Sequence, residues 1–523
     1  DGNQIPWSLD YSRTIRPGDI ITKGPWVDVR RYIDNSLLSA IAARTDNTNL
    51  QPYLQSTFDN IPVTGGVRTV FFPDGLYNVK VNSIYVRRSN IRIVLSPGAE
   101  IHGSGDFTQV AGDGAAIFML KGTLATPIHH IGIYGGKISG VNSGSYDETK
   151  DFHAIRTPSN GTSCTGAGGV TACAAVYNLE VKGVYFSGFK KEATWGQGYN
   201  LIMDGNYFDD LIPTQSNAIN LSWDNAVFVN NTTVGGRLGF QLNGAKNTVA
   251  NNIIINPYRG IVIGEGVGSL TSDYVVTGNR IYISSLAAAG QQFGVADVGI
   301  AIDDGATDVL VEGNIIKITL NDAGHGTATG IKNNAPRGAK AKIKNNDIII
   351  VGGGSGIFGQ INIAYSGSVF DNLALVLKGN DVELRSPIMT ANTAYLFKHF
   401  GDNTVRMDID LMSNTAKGFK TSNADYALSI PQSVMGTGPL GYTIRDFLID
   451  GGYVLLGHTD GSQVIFEAGE LDNVAFNATS YVTPVPTSKT AKGRPGITSF
   501  DNTYHYWSYG TNLWRRVPYD NTW

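Results

Sequence analysis

Leu201-Ile-Met-Asp-Gly-Asn206 is the stretch that decides the fold, because variants of it recur along the chain. Each copy ends in an asparagine that directly follows Gly or Asn, with an apolar residue three positions earlier. A new apolar run such as Ile253–Ile255 usually follows, so each unit predicts strand, tight turn, strand. The other copies are Val227-Phe-Val-Asn-Asn231, Val249-Ala-Asn-Asn252, Val275-Val-Thr-Gly-Asn279, Val309-Leu-Val-Glu-Gly-Asn314, Ile343-Lys-Asn-Asn346 and Leu375-Val-Leu-Lys-Gly-Asn380.

The spacing of these asparagines predicts a solenoid. Successive copies are 25, 21, 27, 35, 32 and 34 residues apart, which suits coils that each contain one variable loop. Gly or Asn before the asparagine supplies the positive φ of a sharp turn, and the Asn side chain can bond to its copies in neighbouring coils. We therefore expect an all-β fold, a right-handed parallel β-helix. Unrelated Asn-rich turns in a sandwich are the alternative, but seven matches in series fit antiparallel hairpins poorly.

Composition agrees with a long solenoid and excludes several classes of protein. The chain has 523 residues, 64 glycines and 16% charged residues. It contains no apolar run of about 18 residues, so we expect no membrane insertion. A net charge of -4 without a basic tail argues against nucleic acid as a partner. The eight histidines are scattered, so we expect no metal and no cofactor.

The remaining sequence divides into three further regions. Residues 1–60 contain a strand and a short helix, Asn35–Arg44, which opens with an Asn cap and would plug the open end of the β-helix at 61–395. From Leu396 the rhythm fails, which predicts a separate β-sandwich-like module at 396–490 for trimerisation or binding. The sequence of residues 491–523 predicts an aromatic hairpin. Cys164 and Cys173 flank a Gly-rich loop and are equally compatible with a disulfide or two thiols.

Two stretches carry a resemblance to a known family. The cap helix followed by Val70-Phe-Phe-Pro-Asp-Gly-Leu-Tyr77, and then by coils ending in Gly-Asn or Asn-Asn, is similar to bacteriophage tailspikes of the pectate-lyase-like β-helix superfamily. The closing stretch, Gly493-Arg-Pro-Gly-Ile-Thr-Ser-Phe-Asp501 with the aromatic run from Tyr506, looks like the small hairpin at the end of many tail proteins.

The resemblance implies a function as well as a fold. It implies a homotrimer in the virion tail that acts extracellularly at the host cell surface. There it would bind, and usually depolymerise, a bacterial capsule, exopolysaccharide or O-antigen. Attachment to the phage tail or baseplate would use an N-terminal region that this sequence, which begins at Asp1, does not show.

Five strands that precede the asparagine units predict the substrate-binding face. Alternation turns Ile219, Phe240, Ile261 and Ile300 inward. The outward side is then rich in amides, with an aromatic residue and carboxylates beyond, as a sugar chain requires. The first outward row is Asn220, Gln241, Val262, Ala301 and Lys332, the second is Ser222, Asn243, Gly264, Asp303 and Asn334, and Trp223 and Asp224 lie beyond on the first strand.

Three carboxylates are the candidate catalytic residues. Glu265 and Asp304 fall at matching positions on successive coils, about 4.8 Å apart in the backbone, with Asp303 beside them. Glycoside hydrolysis needs one carboxyl as acid and another as nucleophile or base, about 5–5.5 or 6.5–9.5 Å apart. Crowding also raises the pKa of one of them. The alternative is that Asp-Asp-Gly and Gly-Glu-Gly are ordinary turn sequences.

Further candidates border the same face. Arg259 and Asp297 precede their strands at roughly equivalent positions, where Arg would hold a sugar carboxylate and Asp would complete a carboxyl pair. His325, in a Gly-His-Gly loop, is a candidate base. Gly-His-Gly with Asp303-Asp304 resembles a polygalacturonase pattern, but here the acidic pair follows its strand instead of leading into it, so we discount that match.

Two other reactions or roles stay open. Lys332 begins a basic run, which would either bind an acidic polysaccharide or form a solvated edge. If the sugar is a uronate, the reaction would be β-elimination, and its residues would be Lys332, His325, Arg259 and Tyr258. A non-cleaving receptor-binding protein or adhesin would use the same polar face without a carboxyl pair. Finally, Trp195, with His153 and Arg156, would place the site nearer the N-terminal end.

Overall fold

The structure is a computed structural model of the 523-residue chain. It describes residues 26–61, 66–105, 107–108, 114–141, 151–157, 175–211, 217–264, 271–285, 297–303, 306–320, 328–334, 340–361, 373–387, 392–399, 407–420, 425–430, 440–445, 447–450, 453–456, 466–472, 475–476, 481–482, 498–500, 504–510 and 513–518. The two cysteines, Glu265, Asp304 and His325 lie outside the described residues.

The chain winds into a right-handed parallel β-helix, as the asparagine pattern predicts. Each coil contributes three strands, to faces that we name A, B and C in chain order. Faces A and B belong to one 27-stranded parallel sheet, and face C is a 14-stranded parallel sheet. Two long strands, Thr194–Asp204 and Asn217–Val229, run through A into B, and each bends at an asparagine with positive φ, Asn200 or Asn225.

The strands of each face are as follows. Besides the two shared strands, face A contains Ile84–Val86, Ala116–Leu120, His153–Arg156, Leu238–Asn243, Arg259–Ile263, Val298–Ile302, Ala328–Asn334, Gly354–Ile361, Thr393–His399, Tyr426–Ile430, Tyr453–Leu456 and Tyr481–Val482. Face B contains Trp26–Asp28, Arg68–Phe72, Ile91–Leu95, Ile128–Tyr134, Val176–Lys182, Thr248–Ala250, Thr271–Thr277, Ala306–Glu312, Lys340–Lys344, Leu373–Lys378, Met407–Met412, Leu440–Arg445 and Phe466–Asp472. Face C contains Gly75–Val79, Ala99–Gly103, Lys137–Ser139, Tyr185–Ser187, Tyr207–Leu211, Thr232–Gly235, Ile253–Ile255, Arg280–Ser285, Ile315–Leu320, Asp347–Val351, Asp381–Arg385, Thr415–Lys417, Leu448–Asp450 and Ala475–Phe476.

The recurrent asparagine lies inside the corner between faces B and C. In Asn231, the main-chain N–H and the side-chain Nδ2 both donate to Oδ1 of Asn252, at 2.9 and 3.0 Å, and Nδ2 also donates to the carbonyl of Met203. The pattern recurs without a break from Asn206 to Asn414, and all of these side chains are buried. The predicted stacking of the asparagines is therefore confirmed, and Asn414 adds an eighth member.

The unequal spacing of the asparagines has two sources rather than one. The B-to-C turn keeps a length of two residues, for example Gly278-Asn279 between Thr277 and Arg280. The A-to-B and C-to-A connections both change length: Ile263 and Thr271 are joined by seven residues, whereas Ile302 and Ala306 are joined by three. The expectation of one variable loop per coil was too simple, because only the corner with the asparagine keeps the same length and the same hydrogen bonds from coil to coil.

A column of small residues lets face A pass close to face C. From His153–Arg156 to Thr393–His399, alanine or glycine stands directly before the inward residue of each A strand. A Cβ at Gly299 would lie 2.5 Å from Cγ2 of Ile316 on face C and 2.6 Å from the carbonyl oxygen of Gly330. The space that a side chain would need is thus filled from face C. The column consists of Ala154, Ala193, Ala218, Gly239, Gly260, Gly299, Gly330, Gly356 and Ala394.

Two helices, not one, close the N-terminal end. Helix α1 is Asn35–Ala42, and its cap is Asp34, whose carboxylate accepts from the N–H of Ser36 at 2.8 Å. Helix α2 is Gln51–Asp59, begins with a proline in its first turn and buries Leu54 and Phe58 in the core. A one-turn 3₁₀ helix, Val29–Tyr32, precedes them. The predicted plug is therefore present with a different cap residue and a second helix. Among the described residues, no helix is long and apolar enough to cross a membrane.

The C-terminal region differs from the predicted sandwich-like module. The described strands from Met407–Met412 to Tyr481–Val482 pair in parallel with the coils before them, so the β-helix continues past residue 396. Phe447 occupies the position that asparagine holds in earlier coils and packs against Tyr395 at 5.2 Å between ring centroids. At the end, Thr498–Phe500, Tyr504–Gly510 and Leu513–Pro518 form an antiparallel sheet that contains the expected hairpin.

Candidate functional site

Face A brings the predicted polar residues into one row. The strand register pairs Asn220 with Gln241, Gln241 with Val262, Val262 with Ala301 and Ala301 with Lys332. Upstream, the same row continues through Trp195 to Arg156. The alternation inferred from the sequence is therefore correct, and these side chains point away from the core on coils about 4.8 Å apart.

Trp223 does not belong to this surface, and its prediction as a substrate contact is wrong. Its side chain is fully buried, and a Cβ at Gly198 on the preceding coil would lie within 2.5 Å of its ring. The strand that contains it runs without interruption from Asn217 to Val229, so the side chain at 223 follows Ile219 and Leu221 into the interior. Trp223 thus stabilises the core and cannot stack on a sugar.

Asp224 and Asn243 lie at the turn between faces A and B. Asp224 Oδ1 accepts from the N–H of Ala245 at 2.7 Å, and burial raises the pKa of this carboxyl. Its geometry is that of a side chain that closes the turn of the next coil. Asn243 is nine-tenths buried, and its Oδ1 has no hydrogen-bond partner among the described residues.

Asp303 is the predicted catalytic residue that the structure describes. Its side chain is mostly buried, and its Oδ2 lies 3.6 Å from Nη1 of Arg259 on the preceding coil. This separation is an ion pair rather than a direct hydrogen bond. The N–H of Asp303 donates to the carbonyl of Ile263 at 2.8 Å, so the two coils remain in register up to this point. Glu265 and Asp304, which follow directly, stay predictions.

Arg259 and Asp297 are close to the expected alignment but differ by one residue. Arg259 pairs with Val298, so Asp297 is level with Tyr258. Asp297 is buried, and its carbonyl accepts from the N–H of Thr329. Arg259 reaches Asp303, so this guanidinium already neutralises a carboxylate of the chain. Tyr258 Oη is buried and has no hydrogen-bond partner among the described residues.

An apolar floor interrupts the polar row. Leu238, Val262, Val298 and Ala301 are all buried and form a small cluster of their own, separate from the main core. Two of them, Val262 and Ala301, stand between Gln241 and Lys332 in the outward row. The partly exposed polar part of face A therefore has two sections, one from Arg156 to Gln241 and one at Lys332.

The N-terminal section contains a polar network of Arg156, Trp195 and His153. The guanidinium of Arg156 lies 4.0 Å from the ring centroid of Trp195, and Nη1 of Arg156 donates to Nε2 of His153 at 2.9 Å. Because arginine has no acceptor, His153 carries its proton on Nδ1, which donates to the carbonyl of Glu192. Burial, and then the charge of Arg156, hold the pKa of His153 well below its ordinary value. His153 is therefore a neutral support beneath the Arg156–Trp195 stack.

Glu192 is a site residue that the sequence reasoning missed. Its Oε1 accepts from Nδ2 of Asn220 at 3.2 Å, and Asn217 Nδ2 donates to Gln241 Oε1 at 2.8 Å. A signal was available: extending the strand alignment back by one coil puts Glu192 level with Asn217. The alignment began with the strand before Asn231, one coil later, and therefore left Glu192 out.

Distance decides whether Glu192 and Asp303 could act as a pair. Four coil steps separate their strands, through those that start at Asn217, Leu238 and Arg259. At about 4.8 Å per step, their strands are roughly 19 Å apart, and the two carboxylates are at least that far from each other. Because hydrolysis needs two carboxyls within about 10 Å, each would need another partner. Among the described residues, no group of three His, Cys, Asp or Glu side chains could hold a metal ion.

Comparisons with known proteins agree with the fold. No family model matches the chain, and no curated protein matches it in sequence. A mutant tailspike protein of E. coli bacteriophage HK620 in complex with a pentasaccharide has a TM-score of 0.55 at 14% identity, over 98% of this chain and 95% of that one. A double mutant of that tailspike has a TM-score of 0.52 at 13% identity, over 96% and 93%. The surface adhesin PfbA of Streptococcus pneumoniae has a TM-score of 0.45 at 12% identity, over 94% and 99%. The chain therefore has the right-handed parallel β-helix fold of phage tailspikes.

Proposed function

We propose that this chain is a phage tailspike that binds a bacterial surface polysaccharide along face A and cleaves it by glycosidic hydrolysis. The observation that carries the proposal is the row Trp195, Asn220, Gln241 and Lys332, in which an aromatic ring, two amides and an amine point outward from aligned strands. A polymer that runs along the helix axis meets these groups in order. The tailspike with a similar fold was solved with a bound pentasaccharide, which shows that such a scaffold can bind sugar.

Cleavage would take place around Asp303. The guanidinium of Arg259 lies 3.6 Å from Oδ2 of Asp303, and a neighbouring positive charge suits a nucleophile or base rather than an acid. Glu265 or Asp304 would then be the general acid, as their positions directly after Gly264 and Asp303 predict. The site thus includes the section of face A next to Lys332. The homotrimer, the location in the virion tail and the extracellular action belong to the same proposal.

A polysaccharide digestion tests the reaction. The protein is incubated with capsule, exopolysaccharide and O-antigen from candidate hosts, and polymer size, reducing ends and ultraviolet absorbance are followed. We expect shorter polymer and new reducing ends without the absorbance of unsaturated uronate. Appearance of that absorbance would replace hydrolysis by β-elimination, with Lys332, Arg259 and the buried hydroxyl of Tyr258 as its groups. Tight binding without any fall in polymer size would instead identify a non-cleaving receptor-binding protein.

Single substitutions test the residues. Asp303→Asn removes the charge but keeps the size of the side chain, and we expect kcat to fall by about 100-fold or more. Glu265→Gln and Asp304→Asn should identify the acid by a loss of similar size. The matched control is Asp308→Asn, because Asp308 is exposed on face B at a positive φ that asparagine tolerates. Full activity of Asp303→Asn would show that the site is elsewhere on the face.

A further inference from the structure

Faces B and C carry apolar side chains that the coil itself does not bury. A sheet face in water usually alternates apolar residues inside with polar residues outside. Here the outward row of face B includes Ile202, Val227, Val275 and Leu310, and that of face C includes Ile253, Ile255, Tyr282 and Ile315. Val227 and Tyr282 are 36% and 37% exposed, and the other six are half-buried. Both faces thus have the surface character of a contact.

Opposite charges stand at the same height on the two faces. On the coil that contains Ala306–Leu320, face B carries Glu312 and face C carries Lys317. On the next coil, Lys342 and Lys344 are on face B and Asp347 is on face C. One coil further, Lys378 is on face B and Asp381 and Glu383 are on face C. On the first two of these coils, face B presents one sign and face C presents the other. On the third coil, Arg385 also points outward from face C beside Glu383.

Most of these charges have no opposite charge within the chain. In the described part of the chain, Lys317, Lys342, Lys344 and Lys378 make no ion pair. On face C, Lys417 pairs with Asp381 at 2.7 Å and Arg385 pairs with Glu383 at 2.7 Å. Asp347 makes no ion pair of this kind among the described residues. Burial, and then the charges of Asp381 and Glu383, raise the pKa of its carboxyl, and this outweighs the opposite effect of Arg385 and Lys417. Asp347 would therefore gain from a cation supplied by another molecule.

The order of the signs selects one way of docking face B on face C of a second copy. At equal height, the first two coils place opposite charges together. A shift by one coil opposes Glu312 to Asp347, and a shift the other way opposes Lys342 and Lys344 to Lys317. An antiparallel arrangement about the middle coil opposes Lys378 to Lys317. Like charges in contact cost free energy and disfavour these alternatives.

We propose that face B of one copy binds face C of the next copy, with the coils parallel and at equal height. A contact between two different surfaces closes into a ring under rotational symmetry, and such a ring leaves face A on the outside. The inference rests on the proposed function, because it supplies the contact surfaces of the proposed homotrimer. Its apolar part lies on the coils from Ile202 to Ile315, and its charged part lies on the coils from Glu312 to Glu383.

Charge reversal with rescue tests the contact. Lys342→Glu with Lys344→Glu makes face B acidic opposite Asp347, and Asp347→Lys makes face C basic opposite the lysines. We expect each variant to dissociate, with an apparent Kd for assembly raised by about tenfold or more in sedimentation equilibrium. The triple variant restores opposite charges and should recover the assembly. All substituted side chains point outward, so circular dichroism should stay unchanged.

Lys332→Glu is the matched control, because it reverses a lysine on face A and should leave the mass unchanged. The proposal is overturned if the natural sequence is monomeric at every concentration, if the reversed variants keep the native mass, or if the triple variant stays dissociated. Polymer digestion by the same samples is read separately. An active monomer would refute the contact but not the chemistry of face A. An inactive but intact ring would refute the chemistry of face A but not the contact.

Discussion

The B-to-C corner and face A show how one backbone repeat supports two different tasks. The corner is identical from coil to coil, with a two-residue turn and a buried asparagine bonded to the next one. Face A keeps only its register, and its outward residues change from Trp195 to Val262 to Lys332. The connections that flank face A also change in length. The part that repeats thus holds the coils together, and the proposed recognition belongs to the part that does not repeat.

The corner should be the most sensitive part of the molecule. Asn279→Ala removes Oδ1, which accepts from the N–H and Nδ2 of Asn252, and Nδ2, which donates to the carbonyl of Val249 and to Oδ1 of Asn314. Four buried hydrogen bonds would be lost, so we expect the free energy of unfolding to fall by about 3–6 kcal/mol. Denaturant unfolding of the whole chain measures it. The control is Asn251→Gly, one coil earlier, because Asn251 is exposed at positive φ. Equal stability of the two variants would mean that the asparagines do not hold the coils together.

A substitution in the small-residue column tests the close approach of face A to face C, which is the other feature that recurs from coil to coil. Gly299→Ala places a methyl group 2.5 Å from Ile316, and relief of this overlap should cost about 1–3 kcal/mol of unfolding free energy. Gly313→Asn is the matched control: it stands at φ +66 in open space, and asparagine tolerates that conformation. A lower thermal midpoint for Gly299→Ala than for Gly313→Asn is expected. The reverse order would show that the corner turn, not the approach of A to C, limits packing.

The difference between the two regions also explains what the sequence could predict. The asparagine contacts could be predicted because each asparagine bonds to the asparagine at the same position of the next coil. The repeat in the sequence therefore identifies both partners of each contact. The register of face A followed from the pairs Gly260-Ile261 and Gly299-Ile300, since the glycine marks the close approach to face C. Where the repeated residue changes, as at Phe447, the prediction failed although the coil continues.

The candidate site was less predictable because its residues contact residues of other types, and no repeat in the sequence identifies those partners. Trp223 was misassigned because the end of its strand was placed too early, and strand length depends on the neighbouring coil rather than on local sequence. Glu192 was missed because its partner Asn220 lies 28 residues away on the next coil. Helix α2 was missed although Leu50, Leu54 and Phe58 follow helical spacing and are all buried.

On face A, the half-buried aromatic residue Trp195 should matter more for binding than for stability. Trp195→Ala removes the ring on which Arg156 stacks and on which a sugar would lie. We expect polysaccharide affinity to fall by about 1–2 kcal/mol, roughly 5–30-fold, with little change in unfolding. Calorimetric titration with oligosaccharides measures the affinity. Tyr207→Ala, which removes a 41% exposed aromatic ring from face C, should leave affinity unchanged. Equal losses would mean that sugar contacts are not confined to face A.

The smallest effect comes from the support beneath that ring and depends on pH. The folded chain keeps His153 neutral, because burial and Arg156 lower its pKa from the ordinary value of 6.5. Below pH 6.5 the unfolded chain binds a proton that the folded chain does not, so the stabilisation is fully present above 6.5. It is lost as pH falls, by up to about 1.4 kcal/mol per pH unit, until the folded pKa is reached. His153→Gln cannot titrate, so the difference in unfolding free energy between the two proteins should shrink on acidification. A difference that is constant from neutral to acidic pH would mean that His153 is protonated in the folded chain, and the tautomer assigned from its bond with Arg156 would then be wrong.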